Sequence, residues 1–223
     1  QKPDEVTDLV DFKQPELSDT ELKAPIYIDF GPTSLSATPW NNITSHQESS
    51  TSSWIKDAEN NYTNIGVRVL GGFTATHAGV GSEPASPVTV DGVEFPLTAW
   101  KDGLLVRGEK NQGDVGPGRI EISQLDAARK YNFTILAIRF NGSKDARISS
   151  YKLIGKTESA VKEVKTGIKD VAAFNTASFE EYIAKFENIE PDSEGKVIVE
   201  VKGLDTGSAA EGHINALCIS LVK

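Results

Sequence analysis

The amino-acid sequence predicts an all-β protein, a jelly-roll β-sandwich of two antiparallel sheets. Apolar or alternating segments rich in β-branched and aromatic residues recur along the 223-residue chain, and their spacing of about 8–20 residues is typical of sandwich strands. Runs rich in Gly, Pro, Ser and Asn separate these segments, with little helical periodicity between them. We therefore expect about nine to eleven short strands and almost no helix.

The first half of the chain alternates short strands with polar connections. The opening strand, residues 26–30, is closed by a turn-forming Gly-Pro pair. Residues 33–64 are rich in Ser, Thr and Asn, which predicts loops with a short strand around residues 54–55. The glycine-rich residues 108–118 are predicted to be a flexible connection. The other strands predicted here are residues 65–70, 88–90, 104–107 and 119–122.

The second half contains the clearest strand signal. Residues 131–140 are rich in β-branched and aromatic side chains, and the second part of this segment is apolar on both faces, as in a central strand. Residues 179–186 fit a helical turn or a strand, and we favour the strand. Because the first and last strands of a jelly roll commonly lie in one sheet, we expect the chain ends to be close together. The other strands predicted here are residues 147–154, 196–201 and 213–221, and residues 161–171 are predicted to form a further strand pair.

The composition indicates one domain with an acidic leader. Residues 1–23 carry seven acidic and three basic residues with few apolar ones, which predicts a solvated leader or linker. Residues 24–223 are predicted to form a single sandwich domain. The single cysteine, Cys218, lies in an apolar run and is predicted to be a buried residue without a reactive role.

Charge and hydropathy exclude two classes of partner. The chain has 23 Lys and Arg against 32 Asp and Glu, a net charge of −9, so it lacks the basic field that binds a nucleic-acid backbone. No apolar stretch approaches the ~20 residues of a membrane-spanning helix. The chain begins at Gln1 and contains no Met. We expect the mature form of a secreted, periplasmic or cell-surface protein whose signal peptide has been removed.

A series of short motifs gives the sequence a family resemblance. The motifs are Tyr27-Ile28-Asp29-Phe30-Gly31-Pro32, then Pro39-Trp40-Asn41-Asn42, then Tyr131-Asn132-Phe133-Thr134, and finally His213-Ile214-Asn215-Ala216-Leu217. In this order they resemble secreted bacterial jelly-roll modules of the galactose-binding-like and malectin-like kind. Such modules accompany SGNH-type esterases in polysaccharide-degrading bacteria. Over residues 25–223, the resemblance implies a non-catalytic module that binds a polysaccharide or another glycan. It also implies a catalytic protein or another surface protein as a further partner.

No catalytic constellation is visible in the sequence. The Gly-Asp-Ser block of SGNH esterases and the Gly-x-Ser-x-Gly elbow are both absent. The three histidines, His46, His77 and His213, are far apart and lack metal-ligand spacing. We therefore predict no catalytic residue, no transition-metal site and no cofactor. A structural Ca²⁺ is common in jelly rolls of the kind that the sequence resembles, and Asp29 or Glu200 are the candidate contributors.

Carboxylates are numerous enough to form pairs by chance. Asp29 lies on a strand between apolar neighbours, and Asp145 is flanked by basic residues. Asp145 is expected to form a charge pair with Arg139 and Arg147 that fixes a loop. A glycosidase would instead need two carboxyl groups about 5–10 Å apart in a cleft.

Aromatic residues supply the candidate ligand-binding site. Sugar rings stack their C–H faces on Trp or Tyr, while their hydroxyls bind amide, charged or backbone groups. Trp54 and Trp100 lie in loop-like surroundings, which favours exposure. Trp40 with Asn41 has a suitable composition, although the adjacent proline and turn-forming asparagines favour a packed corner instead. The candidate ligand-binding residues are Trp54, Trp100, Trp40, Asn41, His77 and Arg107, the last two as residues that could converge with Trp100 at one end of the sandwich.

Three functions are compatible with these observations. The first is a carbohydrate-binding module that uses loops on one end or face of the sandwich. The second is a structural or adhesive surface module without a sugar site. The third, which the sequence favours least, is an uncharacterised glycan-active hydrolase.

Overall fold

The computed structural model describes residues 22–33, 35–79, 87–110, 115–140, 147–168, 176–204 and 209–223. The strands of the first half are β1 (Ile26–Phe30), β2 (Trp40–Ile43), β3 (Thr51–Ser52), β4 (Gly66–Gly71), β5 (Ala75–His77), β6 (Val88–Val90), β7 (Val93–Phe95), β8 (Gly103–Lys110) and β9 (Val115–Ser123). Those of the second half are β10 (Tyr131–Leu136), β11 (Arg139–Phe140), β12 (Ile148–Ile154), β13 (Lys162–Lys165), β14 (Gly167–Ile168), β15 (Ile183–Ile189), β16 (Val197–Gly203), β17 (Ala209–Ile214) and β18 (Ala216–Leu221). The helices are α1 (Leu97–Lys101) and a 3-10 helix (Thr176–Tyr182).

The molecule is a β-sandwich, as the sequence predicts. One sheet has five strands in the order β15-β10-β18-β1-β2, and the other has six in the order β13-β12-β16-β9-β4-β3. A three-stranded sheet, β17-β8-β5, and two small ones, β6-β7 and β11-β14, complete the described part of the chain. The sheets are mainly antiparallel, but β2 runs parallel to β1 and β14 runs parallel to β11. The two-sheet prediction is therefore correct for the main layers and omits the smaller sheets.

Period-two burial along the strands produces the main core. In β9, Ile120 and Ile122 are fully buried, whereas the residues between and beside them are partly exposed. Ile28 and Phe30 on β1 and Phe133 on β10 belong to the same apolar cluster as these β9 residues. The five- and six-stranded sheets are thus joined by one continuous core. Leu22, which lies before the predicted start of the domain, is also buried in this core.

A second, smaller core covers part of the outer face of the five-stranded sheet. The β6–β7 hairpin, α1 and the 3-10 helix pack there over Ala216 and Leu136. Cys218 is buried among the same residues, which confirms the predicted buried thiol, and burial raises its pKa. In the described ranges no helix could cross a membrane, since α1 has only five residues.

The first and last strands pair as expected. Ile26 lies opposite Ile219 and Asp29 lies opposite Ala216 in an antiparallel ladder. The backbone N–H of Val222 also donates to the carbonyl of Lys130. The two ends of the described chain therefore leave the sandwich close together.

Several element predictions need correction. Residues 108–110 and 115–118 belong to β8 and β9, and only residues 111–114 between them lie outside the described chain. The glycines serve close packing here, because a Cβ on Gly118 would lie 2.7 Å from the ring of Phe73.

Three further boundaries differ from the predictions. The short strand expected at residues 54–55 is displaced to β3. Residues 179–182 end a 3-10 helix, and the strand begins only at Ile183. The segment 213–221 contains the end of β17 and the whole of β18, separated by Asn215, because β17 pairs with β8 while β18 pairs with β1 and β10.

Asn215 connects these separate elements with its side chain. Its Nδ2 donates to the carbonyls of Asp102 (2.7 Å) and Trp100 (3.2 Å), and its Oδ1 accepts from the N–H of Ile138 (2.8 Å). The residue is completely buried. One amide thus satisfies backbone groups from α1, from Asp102 between α1 and β8, and from the segment after β10.

We expect Asn215→Ala to lower the free energy of unfolding by about 3 kcal/mol, because it leaves buried backbone groups without partners. Urea denaturation measures the loss. Asn61→Ala is the control, since Asn61 is exposed and its side chain makes only a 3.4 Å hydrogen bond to Asp57. Equal stability of the two variants would contradict the role of Asn215.

Candidate functional site

Trp100 does not lie in a ligand-accessible loop, contrary to expectation. It is completely buried in α1, where its ring lies 5.7 Å from both Phe140 and Phe179. Helix α1 begins after Pro96, and it directs the indole toward the smaller core on the outer face of the five-stranded sheet. Trp100 therefore stabilises the fold and offers no surface to a ligand.

Trp40 and Asn41 follow the packed-corner alternative. The ring of Trp40 is half-buried, 5.2 Å from Tyr27 and 5.8 Å from Phe95. The Asn41 side chain hydrogen-bonds the backbone of Tyr27 and Lys56. Its amide is thus occupied by the protein itself.

His77 and Arg107 lie on the paired strands β5 and β8, but they do not form an open site with Trp100. His77 is 4% exposed, and its ring packs edge-on against His213 at 5.3 Å. Arg107 donates from Nε to the buried carboxylate of Glu211 at 2.6 Å. The two histidines are therefore neighbours in space, which their distance along the chain concealed.

Glu211 is the centre of this buried polar cluster. Besides Arg107 it contacts Arg147 (2.9 Å) and His213 (3.3 Å). Burial alone would raise the pKa of Glu211, but the hydrogen bond to His213 and the charges of His213, Arg147 and Arg107 lower it to about 2. Burial also lowers the pKa of His77 and His213 below the ordinary value of a histidine. The cluster joins β5, β8, β12 and β17 inside the molecule.

The carboxylates considered for Ca²⁺ are engaged within the protein. Glu200 is held by Arg119 at 2.9 Å and Lys152 at 3.5 Å. Asp29 is buried, and its Oδ2 accepts from the N–H of Ser36 at 3.1 Å. In the part of the chain that the structure describes, no three acidic, His or Cys side chains are grouped to bind a metal ion. Asp145 lies outside the described residues.

Asp29 has an unusual protonation equilibrium. Burial raises the pKa of its carboxyl to about 7, and the nearby carboxylate of Asp102 adds to this rise while hydrogen bonds from Ser36 oppose it. Asp102 is completely buried and accepts from the N–H of Thr33 at 2.6 Å. Both carboxylates therefore bind the backbone that follows β1.

Trp54 and Tyr62 are the aromatic side chains that the described chain exposes most. Their exposed fractions are 42% and 46%, and both lie on residues 54–62, here called the aromatic hairpin. Lys56 and Tyr62 face each other as an antiparallel bridge, with Lys56 Nζ 4.8 Å from the centre of the Tyr62 ring. Trp54 has a φ of 52°, a backbone conformation that is uncommon for a bulky residue and costs about 1–3 kcal/mol. The fold thus holds this exposed indole in a strained conformation.

Asn41 and Asp57 fix the aromatic hairpin. Asn41 binds both backbone groups of Lys56 at 2.8 Å, and it also donates to the carbonyl of Tyr27 at 3.0 Å. The buried Asp57 accepts at Oδ1 from the N–H groups of Glu59 (3.0 Å) and Asn61 (2.9 Å), which closes a tight turn. The hairpin is therefore tied to β1 and β2 before any ligand binds.

A shallow depression of about 450 Å³ lies beside the hairpin. It is formed by one residue after the hairpin and by two turns. Its lining consists of Asn64, Gln124, Leu125, Asp126, Ala127, Ser193, Glu194 and Gly195. Sequence reasoning missed this surface and also Tyr62, since each turn looks ordinary locally.

The aromatic hairpin and the Asp29–Asp102 pair lie at opposite ends of β1. Ile26, which begins β1, is bridged to Asp57 of the aromatic hairpin. Phe30 ends β1, and the next residue, Gly31, packs against the Asp102 side chain. We call the first of these the hairpin end of the sandwich.

Comparison with known proteins shows distant structural likeness only. No protein-family model matches the sequence, and no curated protein matches it. One similar solved structure is TmCBM61 in complex with β-1,4-galactotriose, with 14% identity, a TM-score of 0.32, and coverage of 55% of this chain and 72% of that chain. Another is the plant receptor-like kinase ANX1, with 9% identity, a TM-score of 0.40, and coverage of 78% of this chain and 54% of that chain. Both TM-scores are too low to assign a family or a function.

We expect Asp29→Asn to change the pH dependence of stability. Because the pKa of Asp29 is raised to about 7 in the folded protein, the stability that its proton provides is lost as the pH rises through 7. The variant stays neutral, so its stability relative to the parent should increase by about 1 kcal/mol between pH 6 and pH 8. Urea denaturation of both proteins at each pH measures the difference.

Both proteins contain His77 and His213, so the contribution of these histidines to the pH dependence of stability cancels in the difference. Their lowered pKa values act in the opposite direction, with stability lost as the pH falls below about 6.5. A stability difference that stays constant from pH 6 to pH 8 would show that Asp29 does not titrate in this range.

Proposed function

We propose that this protein is a non-catalytic carbohydrate-binding module of a secreted or surface-anchored bacterial protein, and that the aromatic hairpin binds the glycan. The observation that carries the proposal is the exposure of Trp54 and Tyr62 on a hairpin that the protein holds rigidly. The strained backbone at Trp54 supports it, since such strain is concentrated at ligand-binding positions.

The chemistry of an exposed indole suits a sugar ring. The apolar C–H face of a pyranose stacks on an aromatic ring, and the ring loses little conformational freedom because it has only two side-chain torsions. Lys56 covers one face of Tyr62, so Trp54 is the main stacking platform and Tyr62 contributes its other face or its edge.

Preorganisation of the hairpin increases the affinity available from such a small platform. Binding loses less free energy to the ordering of a loop when hydrogen bonds have already fixed that loop. Asn41 provides two such bonds to Lys56, and a third bond to Tyr27 anchors its own side chain to β1. We therefore assign to Asn41 the role of positioning the platform, whereas the sequence analysis listed it as a candidate ligand-binding residue.

A glycan-active hydrolase is the less favoured function. It would need two carboxyl groups facing a cleft on either side of the scissile bond. Asp29 and Asp102 are neighbouring carboxylates, but both are buried and each accepts a hydrogen bond from a backbone N–H. Their environment fits a structural role better than general acid–base chemistry.

We expect Trp54→Ala to lower the affinity for the glycan at least tenfold, because the loss of a central aromatic contact costs about 2 kcal/mol. A glycan array first identifies the ligand, and isothermal titration then measures the affinity. Leu35→Ala is the matched control, since Leu35 is 60% exposed and follows β1 at the other end of the sandwich.

Two results would contradict the proposed function. One is a parent protein that binds no glycan on the array, which would favour the structural or adhesive module. The other is a Trp54→Ala variant that binds as tightly as Leu35→Ala.

We expect Asn41→Ala to lower the same affinity about threefold to tenfold without unfolding the protein, because it frees the hairpin while leaving the stacking residues in place. Hydrogen exchange should show faster exchange of the Lys56 amide, which Asn41 protects in the parent. Reduced affinity with unchanged exchange at Lys56 would indicate a direct contact of Asn41 with the ligand instead.

A further inference from the structure

The depression beside the aromatic hairpin gives the ligand a second contact surface. We propose that this depression is a second sugar subsite, and that the protein therefore recognises neutral oligosaccharides of at least two units. The inference rests on the proposed function, because it takes the aromatic hairpin as the first subsite.

The two surfaces are neighbours along the chain. Asn64 lines the depression and follows Tyr62 by two residues, so their Cα atoms are at most about 7 Å apart. A sugar stacked on the hairpin would place the next unit of its chain over the depression. The volume of about 450 Å³ lies within the ~300–1,000 Å³ of small-molecule sites.

The lining has the hydrogen-bonding groups that sugar hydroxyls require. Asn64 and Gln124 contribute amides, Ser193 a hydroxyl, and Asp126 and Glu194 carboxylates. A hydroxyl group both donates and accepts, so this mixture of donors and acceptors is complementary to a polyol. Within the described residues, the side chains of Asn64, Gln124 and Ser193 make no hydrogen bond to the protein.

The walls of the depression are fixed in advance. The N–H of Leu125 donates to the carbonyl of Gly195 at 2.9 Å, and a Cβ at residue 195 would lie 2.3 Å from the carbonyl oxygen of Leu125. The N–H of Asp126 donates to the hydroxyl of Tyr131, and Asp192 closes the other turn through the N–H of Glu194. The close approach of residue 195 to the Leu125 carbonyl requires a glycine, and the φ of 74° at this position favours glycine as well. The subsite is therefore formed before the ligand arrives.

The charge of the lining indicates a neutral ligand. None of the eight lining residues is basic, and two of them are acidic. Lys196 neutralises Glu194 at 2.6 Å, but Arg129 approaches Asp126 only to 4.0 Å. A uronic acid or a sulfated sugar would place its anion beside these carboxylates without a guanidinium or ammonium group in the lining to bind it.

The test compares a double variant that removes two amides from the depression with a control that removes one amide elsewhere. The subsite variant combines Asn64→Ala with Gln124→Gly, in which glycine accepts the φ of 62° at that position. The control is Asn188→Gly, which replaces another residue with positive φ (57°) that does not line the depression. The probes are neutral β-1,4-linked gluco-, xylo-, manno- and galacto-oligosaccharides from one unit upwards, with oligogalacturonates as the anionic series.

Isothermal titration should show that the parent and the control bind the best neutral oligosaccharide at least tenfold more tightly than its monosaccharide. The subsite variant should lose most of this gain and retain the affinity for the monosaccharide. Oligogalacturonates should bind at least tenfold more weakly than neutral chains of the same length.

The inference is wrong if the subsite variant keeps the full gain from chain length, or if oligogalacturonates bind as tightly as neutral chains. Such results combined with a loss of binding in Trp54→Ala would refute only the second subsite and leave the proposed function standing. A parent that binds none of the probes would refute both.

Discussion

The buried amide of Asn215 is the interaction on which the arrangement of the sheets depends. It lies where the chain passes from the three-stranded sheet to the five-stranded sheet, and its side chain satisfies backbone groups of α1, of Asp102 between α1 and β8, and of the segment after β10. Its own backbone also bonds Phe30 at the end of β1 and Leu136 at the end of β10. Removal of this one side chain would expose unpaired backbone groups on several elements at once, so the position tolerates no apolar substitute.

The two ends of the sandwich differ in the role of their polar side chains. At the end where β1 finishes, charged and polar groups are buried and paired, as with Glu211 among two arginines and a histidine. At the hairpin end, hydrogen bonds such as that from Asn41 to Lys56 fix a hairpin whose Trp54 ring is exposed to solvent. In many sandwich domains a packed scaffold positions the loops that carry function.

Local patterns in the sequence predicted the strands well because the alternation of side chains is itself a local property. The strands around Ile28, Ile120 and Phe133 follow directly from this alternation. The role of Trp100 could not be predicted in this way, because loop-like neighbours gave no sign that α1 would cover a sheet face formed by distant strands. The same reason explains the contact between His77 and His213, which depends on the register of β5 and β17 on either side of β8. The depression could not be predicted because it is assembled from Asn64 and two separate turns, each with an ordinary local sequence.

The acidic side chains at the hairpin end have a consequence for charged ligands. Leu22 enters the core just before β1, beside the carbonyl of Pro25 that binds Ala58 of the hairpin. Within the described chain, Glu59 lies on the aromatic hairpin and Asp126 and Glu194 line the depression beside it, and such charges repel polyanions over about 10 Å at 0.1 M salt. Added salt would screen this repulsion while leaving the stacking of an uncharged ring unaffected.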